Sequence, residues 1–408
     1  MSKNMIQWLE IGDLDIHISD GNYSSKYPRS EEFIESGVPF IRANNLVNKS
    51  ISDEEMYFIS PQKHGLLKKG HLKTNDVLIS TRGDLGKVAL VPKRYNDSNI
   101  NAQLVLLRPN PHKIDPLYLL YCFEGDRVKG QISQLQTGTA LKQLPVGNLK
   151  RIKIPLPPLE EQRRIAAILD KADGVRRKRK EAIRLTEELL RSTFLEMFGD
   201  PVTNPKGWEI KTIEDITVNQ KGAIKRGPFG GALKKDIFTQ VGFLVYEQYH
   251  ALNNDFSFER YYIDEDKFEE MKGFEVKPGD IIISCSGVYL GKLAIVPENA
   301  KPGIINQALL RITLNQRKMN NYFFVYHFSH ESFRAKFFAA NRGSGVPNFP
   351  PISEFKTFPF IVPPIEEQNK FSARLQQIQG FRSKAYEGIK ESENLFNSLL
   401  QRAFRGEL

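Results

Sequence analysis

Short apolar runs alternate with polar turns through most of the chain, and two much longer stretches show a helical pattern. Runs such as "DVLIS", "KVALV" and "AQLVLLR" are bounded by Gly, Pro and Asn, which is typical of short β-strands. Each of two longer segments, "DPLYLLYCFEGDRVKGQISQL" and "MNNYFFVYHFSHESFRAKFFAA", predicts one helix. A glycine loop, a short strand and a Pro-Pro pair then lead into a long charged helix.

This order of elements occurs twice. "PPLEEQ" at 157–162 recurs as "PPIEEQ" at 363–368, and "DVLISTRGDLGKVALVP" recurs as "DIIISCSGVYLGKLAIVP". The spacing of roughly 205 residues is too long for a solenoid repeat and predicts a duplicated domain. We expect domains at 1–157 and 201–363, each followed by a long helix, at 158–200 and at 364–408.

Apolar side chains recur at alternating steps of four and three along both long helices, which predicts a coiled-coil seam. One helix cannot bury such a stripe alone, so we expect the two helices to pack antiparallel against each other. The predicted seam consists of Ile165, Leu169, Ala172, Ile183 and Leu190 in the first helix and Phe371, Leu375, Ile378, Ile389, Phe396 and Leu399 in the second.

The composition is that of a soluble globular protein, with 40% hydrophobic and 11% aromatic residues among 408. No apolar run approaches the ~18 residues of a membrane span, and the N-terminal stretch lacks the apolar core of a signal peptide. Cys122 and Cys285 lie far apart in apolar segments. We therefore expect a cytoplasmic protein with two buried free thiols and no metal site.

The charge balance is basic, with 58 Lys and Arg against 48 Asp and Glu, and both halves of the chain are net basic. This balance favours a polyanionic partner such as DNA, although charge alone is a weak signal. A helix of about 40 residues is roughly 60 Å long. Two basic domains held apart by such a pair would suit two half-sites across roughly 17 base pairs of duplex.

Candidate phosphate contacts are the basic residues of two polar stretches. The stretch "VNQKGAIKRGPFGGALKKD" has no acidic residue between its first and last lysines, Lys221 and Lys235. Its glycines would let backbone N–H groups approach phosphates. A solvated loop is the alternative. The candidates are Lys221, Lys225, Arg226, Lys234 and Lys235 here, and Lys26 and Arg29 in the corresponding "SDGNYSSKYPRS".

Candidate base contacts are polar residues that follow buried strands or lie in glycine loops and hairpin tips. For the glycine loops, a simple connection is an equally good interpretation. The candidates after strands are Arg42, Asn44, Asn45, Gln248, Tyr249 and His250; those in glycine loops are Thr139, Lys142, Gln143, Arg342, Ser344 and Asn348; those at hairpin tips are Arg82 and Ser286. The mid-helix run "RRKRK" is better explained as a solvated helix face than as a DNA or partner contact.

No motif supports catalysis by this chain. "DPLY" at 115–118 lacks the second proline of the Asp-Pro-Pro-Tyr motif of amino-methyltransferases and is better interpreted as a helix start. "GDLGK" and "GVYLGK" have the wrong spacing for a phosphate loop and run into a strand, so they predict hairpin loops.

The stretches "PLPPLEEQRRIAAILDKADGVRRKRKEAIRLTEELLRSTFLEMFGDPVTNPKGW" and "SLLQRAFRGEL" closely resemble the DNA-specificity subunits of type I restriction–modification systems, and the resemblance covers essentially the whole chain. It implies an α+β fold in which two pseudo-twofold-related, mixed α/β target-recognition domains are separated by an antiparallel coiled coil. It also implies a non-catalytic subunit that reads a bipartite, asymmetric site in double-stranded DNA, one half-site per domain. The implied partners are two methyltransferase subunits and restriction (translocase/nuclease) subunits. The methyl donor and ATP would bind those partners, so no cofactor is expected here.

Two other functions stay open at this point. The first alternative is the specificity module of another restriction or methylation system, including one without a nuclease. A coiled-coil scaffold whose end domains bind proteins is a different class. Net charge and the basic glycine-rich stretch favour DNA, and salt-dependent DNA binding would exclude the scaffold.

Overall fold

The computed structural model describes residues 7–23, 26–287, 289–338 and 348–408. The chain divides into two compact units, Met1–Ile183 with Ala385–Leu408 (unit 1) and Arg184–Lys384 (unit 2). Both divisions fall inside the long helices, so each unit contains a segment of both. No helix among the described residues is long and apolar enough to cross a membrane.

Among its described residues, unit 1 contains eleven strands, four short helices and most of the first long helix. The strands are β1 Trp8–Glu10, β2 Ile16–Asp20, β3 Val38–Ile41, β4 Leu46–Val47, β5 Ser50–Ile51, β6 Tyr57–Ile59, β7 Val77–Ser80, β8 Val88–Leu90, β9 Asn99–Ile100, β10 Leu104–Pro109 and β11 Lys153–Pro155. The helices are α1 Pro61–Leu66, α2 Pro116–Cys122, α3 Asp126–Leu135, α4 Val146–Lys150 and α5 Leu159–Phe198.

Unit 2 repeats this plan. Its strands are β12 Glu209–Lys211, β13 Ile224–Arg226, β14 Phe243–Tyr246, β15 Tyr262–Ile263, β16 Glu275–Val276, β17 Ile281–Ser284, β18 Leu293–Ile295, β19 Gly303–Ile305, β20 Leu309–Ile312 and β21 Phe360–Val362. Its helices are α6 Ile213–Ile216, α7 Gln248–Asn253, α8 Glu265–Glu270, α9 Asn321–Ser329, α10 Glu331–Phe338, α11 Ile352–Phe355 and α12 Ile365–Arg405.

The sheets of the two units have matching strand orders. The four-stranded sheet β2-β10-β7-β8 of unit 1 corresponds to β13-β20-β17-β18 of unit 2, and the pair β1-β11 corresponds to β12-β21. In both units β-hairpins carry the segments that resembled phosphate loops, because β7 pairs antiparallel with β8 and β17 with β18. The predicted duplication and the predicted hairpins are therefore confirmed.

The predicted single helix before each glycine loop is wrong, because the structure contains two helices there. In unit 1 the break falls at Gly125, where a side chain would press against the ring of Phe404. In unit 2 it falls at His330, whose backbone is extended. The helix starts are as predicted, since the side chains of Asp115 and Asn320 accept the N–H groups of the first turn.

The two long helices pack antiparallel within each unit. In unit 1, Arg164 donates to the carbonyl oxygen of Leu408 at 2.6 Å, whereas Arg179, further along α5, donates to the earlier residues Gly388 and Ser392 of α12. In unit 2, Arg382 pairs with Glu187 at 2.7 Å. The ring of Phe371 lies 5.4 Å from that of Phe194.

The side chains of the predicted seam are buried or partly buried. Ile165, Leu169, Ile183, Leu190, Phe371, Leu375 and Phe396 are buried, and Ala172, Ile378, Ile389 and Leu399 are partly buried. The seam also packs against the short helices of each domain, in one core with residues such as Tyr118 and Tyr121 in unit 1. Large apolar surfaces on both helices are removed from water, which is the main stabilisation of the pair.

Candidate nucleic-acid interface

In unit 1 the hairpin tip and the glycine loop form one continuous edge. Arg82 and Gln143 form a backbone bridge, and Gly83 N–H donates to the carbonyl oxygen of Lys142 at 3.1 Å. The guanidinium of Arg82 lies 4.8 Å from the ring centroid of Tyr23, whose hydroxyl donates to the carbonyl of Ala102 at 2.5 Å. We call Tyr23, Arg82, Lys142 and Gln143 the polar edge of unit 1.

This edge lies next to a point where the backbone at Gly21 crosses the backbone at Asn101 in close contact, which we call the glycine crossing of unit 1. A side chain at Gly21 would overlap the carbonyl oxygen of Asn101, so only glycine fits there. The side chain of Asn101 in turn accepts the N–H of Gln103 at 3.1 Å and shapes the turn before β10. The crossing brings Tyr23 to the surface with 47% of its area exposed. Partial burial raises the pKa of its hydroxyl, and the charge of Arg82 opposes that rise.

Unit 2 builds an equivalent edge from different side chains. Ser286 and Asn348 form the corresponding backbone bridge. The equivalent aromatic residue, Phe229, is 74% exposed, and the guanidinium of Arg226 lies 5.9 Å from its ring. The side-chain amide of Gln248 donates to Ser286 Oγ at 3.1 Å and to its carbonyl at 2.8 Å. These five residues form the polar edge of unit 2.

The same backbone crossing supports the second edge. A side chain at Gly227 would overlap the carbonyl oxygen of Asn306, and the side chain of Asn306 accepts the N–H of Ala308 at 3.0 Å. Tyr23 and Phe229 were missed in the sequence. Their signal is an aromatic residue two positions after the glycine in each copy, in "GNY" and "GPF".

Asn45 and His250 hold loops and do not face solvent. Both are fully buried. Asn45 accepts the N–H of Arg42 at 3.0 Å, and His250 accepts the N–H of Glu247 at 3.0 Å. Each side chain also bonds a second part of its loop, the carbonyl of Glu54 or of Phe258. Their hydrogen bonds are therefore used within the protein.

The other two polar residues after β3 differ in exposure. Arg42 is half-buried, with its guanidinium 3.5 Å from the ring centroid of Tyr57 and a 2.6 Å hydrogen bond to the carbonyl of Glu55. Asn44 is exposed. In unit 2, Tyr249 is 40% exposed and its ring packs on Phe258 at 4.1 Å.

The basic stretch of unit 2 is not the single loop expected from the sequence. Lys225 and Arg226 lie in β13, which pairs with β20, and Lys225 sits 4.6 Å over the ring of Phe274. Lys221 lines a polar cleft with Glu214 and Asp215, at the opposite end of β13 from Gly227. Lys234 and Lys235 are exposed. The five cations therefore lie in a strand, in the turn before it and in or next to the 3-10 turns after it, and do not form one loop.

The remaining candidates are surface residues or lie outside the described residues. Lys26, Arg29, Thr139 and Lys142 are exposed. Arg342 and Ser344 belong to the part of the chain that the structure does not describe. The run at 176–180 is not simply the solvated helix face expected from the sequence, because Arg176 lies over the ring of Phe396, Arg179 donates to α12, and Lys180 pairs with Glu393 at 2.9 Å.

The chemistry of the two edges is that of recognition. They present aromatic rings, amide and hydroxyl groups and cations, which bind bases and phosphates without breaking bonds. Both cysteines are buried and free, and burial raises their pKa, that of Cys285 to about 12. Elsewhere in unit 1, His64, His71 and Asp97 converge in a group that could hold a metal ion and that was not expected from the sequence. Their wide spacing in the sequence concealed this group.

Comparison with known proteins identifies the same organisation. The model of the type I restriction modification DNA specificity domain matches residues 12–185 and 205–391. A Methanocaldococcus jannaschii protein, provisionally named a type I restriction enzyme MjaX specificity subunit, is 25% identical over 378 residues, covering 89% of this chain and 86% of that one. The StySPI specificity subunit of Salmonella potsdam is 22% identical over 397 residues, covering 91% and 82%. The crystal structure of the S subunit from M. genitalium has the same fold, with a TM-score of 0.59 at 15% identity over 99% of this chain and 97% of that one.

Proposed function

The chain belongs to the family of type I restriction modification DNA specificity proteins, and we propose that its two units each read one half of a divided DNA site. It is a DNA-recognition subunit, and catalysis lies in other subunits of such systems. The polar edge of each unit is proposed to contact one half-site, and the two half-sites are proposed to differ in sequence.

The observation that carries this proposal is that one backbone framework presents two different sets of side chains. A glycine crossing, an exposed aromatic residue and a bridge between hairpin tip and glycine loop recur in both units. The side chains at equivalent places are Tyr23 and Phe229, Arg82 and Ser286, and Gln143 and Asn348.

These substitutions change what each edge can recognise. Arg82 and Gln143 offer the donors and acceptors that pair with guanine and adenine in the major groove. Ser286 is a smaller, less selective hydrogen-bonding group, and Asn348 pairs best with adenine. Because equivalent positions differ in this way, the two halves of the DNA site are expected to be unlike. Contacts to phosphates orient the duplex but carry no sequence information, and Lys142 on the edge of unit 1 is assigned to such a contact.

Partner subunits are proposed to dock on the long helices. Several large apolar side chains there remain exposed, and a docked partner would remove them from water. They are Val175 (46%) and Leu395 (57%) in unit 1, and Leu189 (52%) and Phe381 (68%) in unit 2. Two modification subunits, one for each unit, and restriction subunits are the proposed partners. The methyl donor and ATP are assigned to them.

Charged substitutions test this docking surface. Leu395→Glu and Phe381→Glu should leave the unfolding temperature unchanged, because both side chains are already in water, yet should prevent co-purification with the modification subunit. Leu169→Glu, at a buried seam position, is the contrasting variant and should unfold the pair. Undiminished binding by both exposed variants would contradict docking on these helices.

A methylation map tests the function itself. Long-read sequencing of the source genome, with and without this gene, should show the loss of one motif made of two unlike parts around a spacer of fixed length. Restoring the gene should restore that motif. An unchanged map, together with no DNA binding by the purified chain, would contradict the proposal.

A further inference from the structure

Three side chains of unit 1 whose types can ligate a metal ion converge on one place. His64 Nε2 and His71 Nδ1 lie 3.5 Å and 3.8 Å from Oδ1 of Asp97, and all three ligand atoms are within 4.8 Å of one another. Tetrahedral zinc, with ligands at about 2.0–2.1 Å, holds neighbouring ligand atoms about 3.4 Å apart. We propose that His64, His71 and Asp97 bind one divalent transition-metal ion of the Zn²⁺ class.

The other nitrogen of each imidazole ring is already engaged. His64 Nδ1 is hydrogen-bonded to the side-chain oxygen of Asn99, and His71 Nε2 to the carbonyl oxygen of Leu67. Both acceptors lack a proton, so each ring donates its N–H there and keeps a lone pair on its other nitrogen. Such outer hydrogen bonds to carbonyl groups are what orients histidine ligands in metal sites. The two lone pairs face the carboxylate of Asp97.

The second unit shows what this place looks like without the ligands. Ser60 and Asp264 cap the corresponding helices α1 and α8, which places Phe268 where unit 1 has His64. Strand register places Ile304 where unit 1 has Asn99, since these residues pair with Val245 and Phe40 respectively. By the same register, the positions of His71 and Asp97 are taken by Glu275 and Pro302.

Phe268 and Ile304 belong to a buried apolar cluster in unit 2. Apolar side chains therefore fill the positions of His64 and Asn99 on this backbone in unit 2, and unit 1 departs from that arrangement. Asn99 is fully buried, and its Nδ2 has no hydrogen-bond partner among the described residues. Burying that amide is unfavourable, and orienting His64 toward an ion accounts for its presence.

The ligand set selects the class of metal. Two imidazoles and one carboxylate favour Zn²⁺, Co²⁺ or Ni²⁺ over Ca²⁺ and Mg²⁺, which prefer oxygen ligands. The side chain of Asp97 is 71% exposed, so water can complete the coordination. The ion would tie α1 to the turn before β9 and stabilise unit 1, because the ligands come together only in the folded chain. This inference does not depend on the DNA-reading role.

The test is a Zn²⁺ titration of the full chain, without a histidine tag, in competition with a chromogenic chelator. Wild type should bind one equivalent in the micromolar range or tighter. Asp97→Asn and His71→Ala should weaken that binding at least 10-fold. Asn tolerates the left-handed backbone of Asp97, where φ is +64°, so this variant should fold. His17→Ala, which removes an exposed histidine of β2, is the matched control and should bind as wild type does.

Thermal unfolding provides the second measurement. Zn²⁺ should raise the unfolding temperature of wild type and of His17→Ala by several degrees, and chelation should reverse the rise. Asp97→Asn should show no rise. The proposal would be overturned if wild type showed no saturable Zn²⁺ binding, or if Asp97→Asn and His71→Ala bound Zn²⁺ as tightly as wild type does. The group would then be an ordinary hydrogen-bonded cluster.

Discussion

Gln162 and Gln368 make the same three hydrogen bonds, one set in each unit. The side-chain oxygen of Gln162 accepts the N–H of Asp115 at 3.0 Å, and its NH₂ donates to the carbonyls of Lys113 and Pro157 at 3.1 and 2.9 Å. Gln162 thus joins the start of the long helix α5 to the start of α2.

The side chain of Gln368 repeats this arrangement at the start of α12. It accepts the N–H of Asn320 at 2.9 Å and donates to the carbonyls of Lys318 and Pro363 at 3.1 and 2.7 Å. Both glutamines are buried. The recurrence of "PPLEEQ" as "PPIEEQ" therefore has a physical cause, because each copy fastens a long helix to its domain.

Replacing either glutamine with alanine should destabilise the fold. Gln162→Ala or Gln368→Ala leaves one backbone N–H and two backbone carbonyl groups without this partner, which should lower the free energy of unfolding by about 3 kcal/mol. Gln377→Ala, at an exposed position of α12, should change it by less than about 0.5 kcal/mol. Urea unfolding measures both, and equal effects would contradict the fastening role.

The glycine crossing of unit 2 is tested by comparing a substitution at its glycine with the same substitution at a glycine in open space. Gly227→Ala would drive a methyl group into the carbonyl of Asn306 and should cost at least about 2 kcal/mol of stability. Gly65→Ala in α1 meets open space and should be neutral or stabilising by up to about 1 kcal/mol. Thermal unfolding of the two variants should give shifts of opposite sign or very different size. Similar shifts would show that the crossing is not tight.

His327 should make the stability of unit 2 depend on pH. Its ring is buried beside Phe333 and Phe360, and burial lowers its pKa from 6.5 to about 3. The unfolded chain therefore binds a proton below pH 6.5 that the folded chain rejects. The stabilisation is complete above pH 6.5 and is lost as the pH falls toward 3. Lowering the pH to 5 should remove about 2 kcal/mol through this residue.

Urea unfolding at pH 7.5 and pH 5.0 measures that loss. His327→Phe should be less sensitive to this pH change than wild type by about that amount. His112→Phe, at an exposed position, should retain the wild-type pH dependence. An unchanged pH dependence in His327→Phe would show that the buried ring is protonated in the folded state.

Much of the fold could be predicted from the sequence because the duplication samples the same pattern twice. The hydrophobic spacing identified the seam residues, and the caps at Asp115 and Asn320 identified helix starts. The helix breaks at Gly125 and His330 were missed, since they depend on tertiary packing that a periodic pattern does not contain. The unit boundaries inside α5 and α12 likewise depend on which segments pack together.

The candidate site was less predictable, because side-chain type does not report burial. Asn45 and His250 have the right chemistry to contact bases, yet they are used inside their loops. Lys225 and Arg226 proved to be strand residues. Residue spacing also concealed the group formed by His64 and Asp97, which only the fold brings together. Which residues of the edges contact DNA stays a prediction.

Salt dependence should identify the side chains that bind phosphates. Removing one cation that neutralises a phosphate should reduce the slope of log K against log salt concentration by about 0.9. Lys142→Ala should show that reduction for DNA containing the full site. Lys113→Ala, which removes a cation paired with Asp15 away from the edge, should retain the wild-type slope. If both variants gave the same slope of log K against log salt concentration, Lys142 would not be a phosphate contact.

The most direct test of the central claim is a methylation map made separately with an Arg82→Ala, Gln143→Ala chain and with a Phe229→Ala, Ser286→Ala chain. All four positions lie on the polar edges, and none is part of the seam. The account predicts that each chain loses sequence preference in one half of the split motif and retains it in the other, and that the two chains differ in which half is affected. Loss of both halves by either chain, or full retention by both, would contradict the assignment of one half-site to each unit.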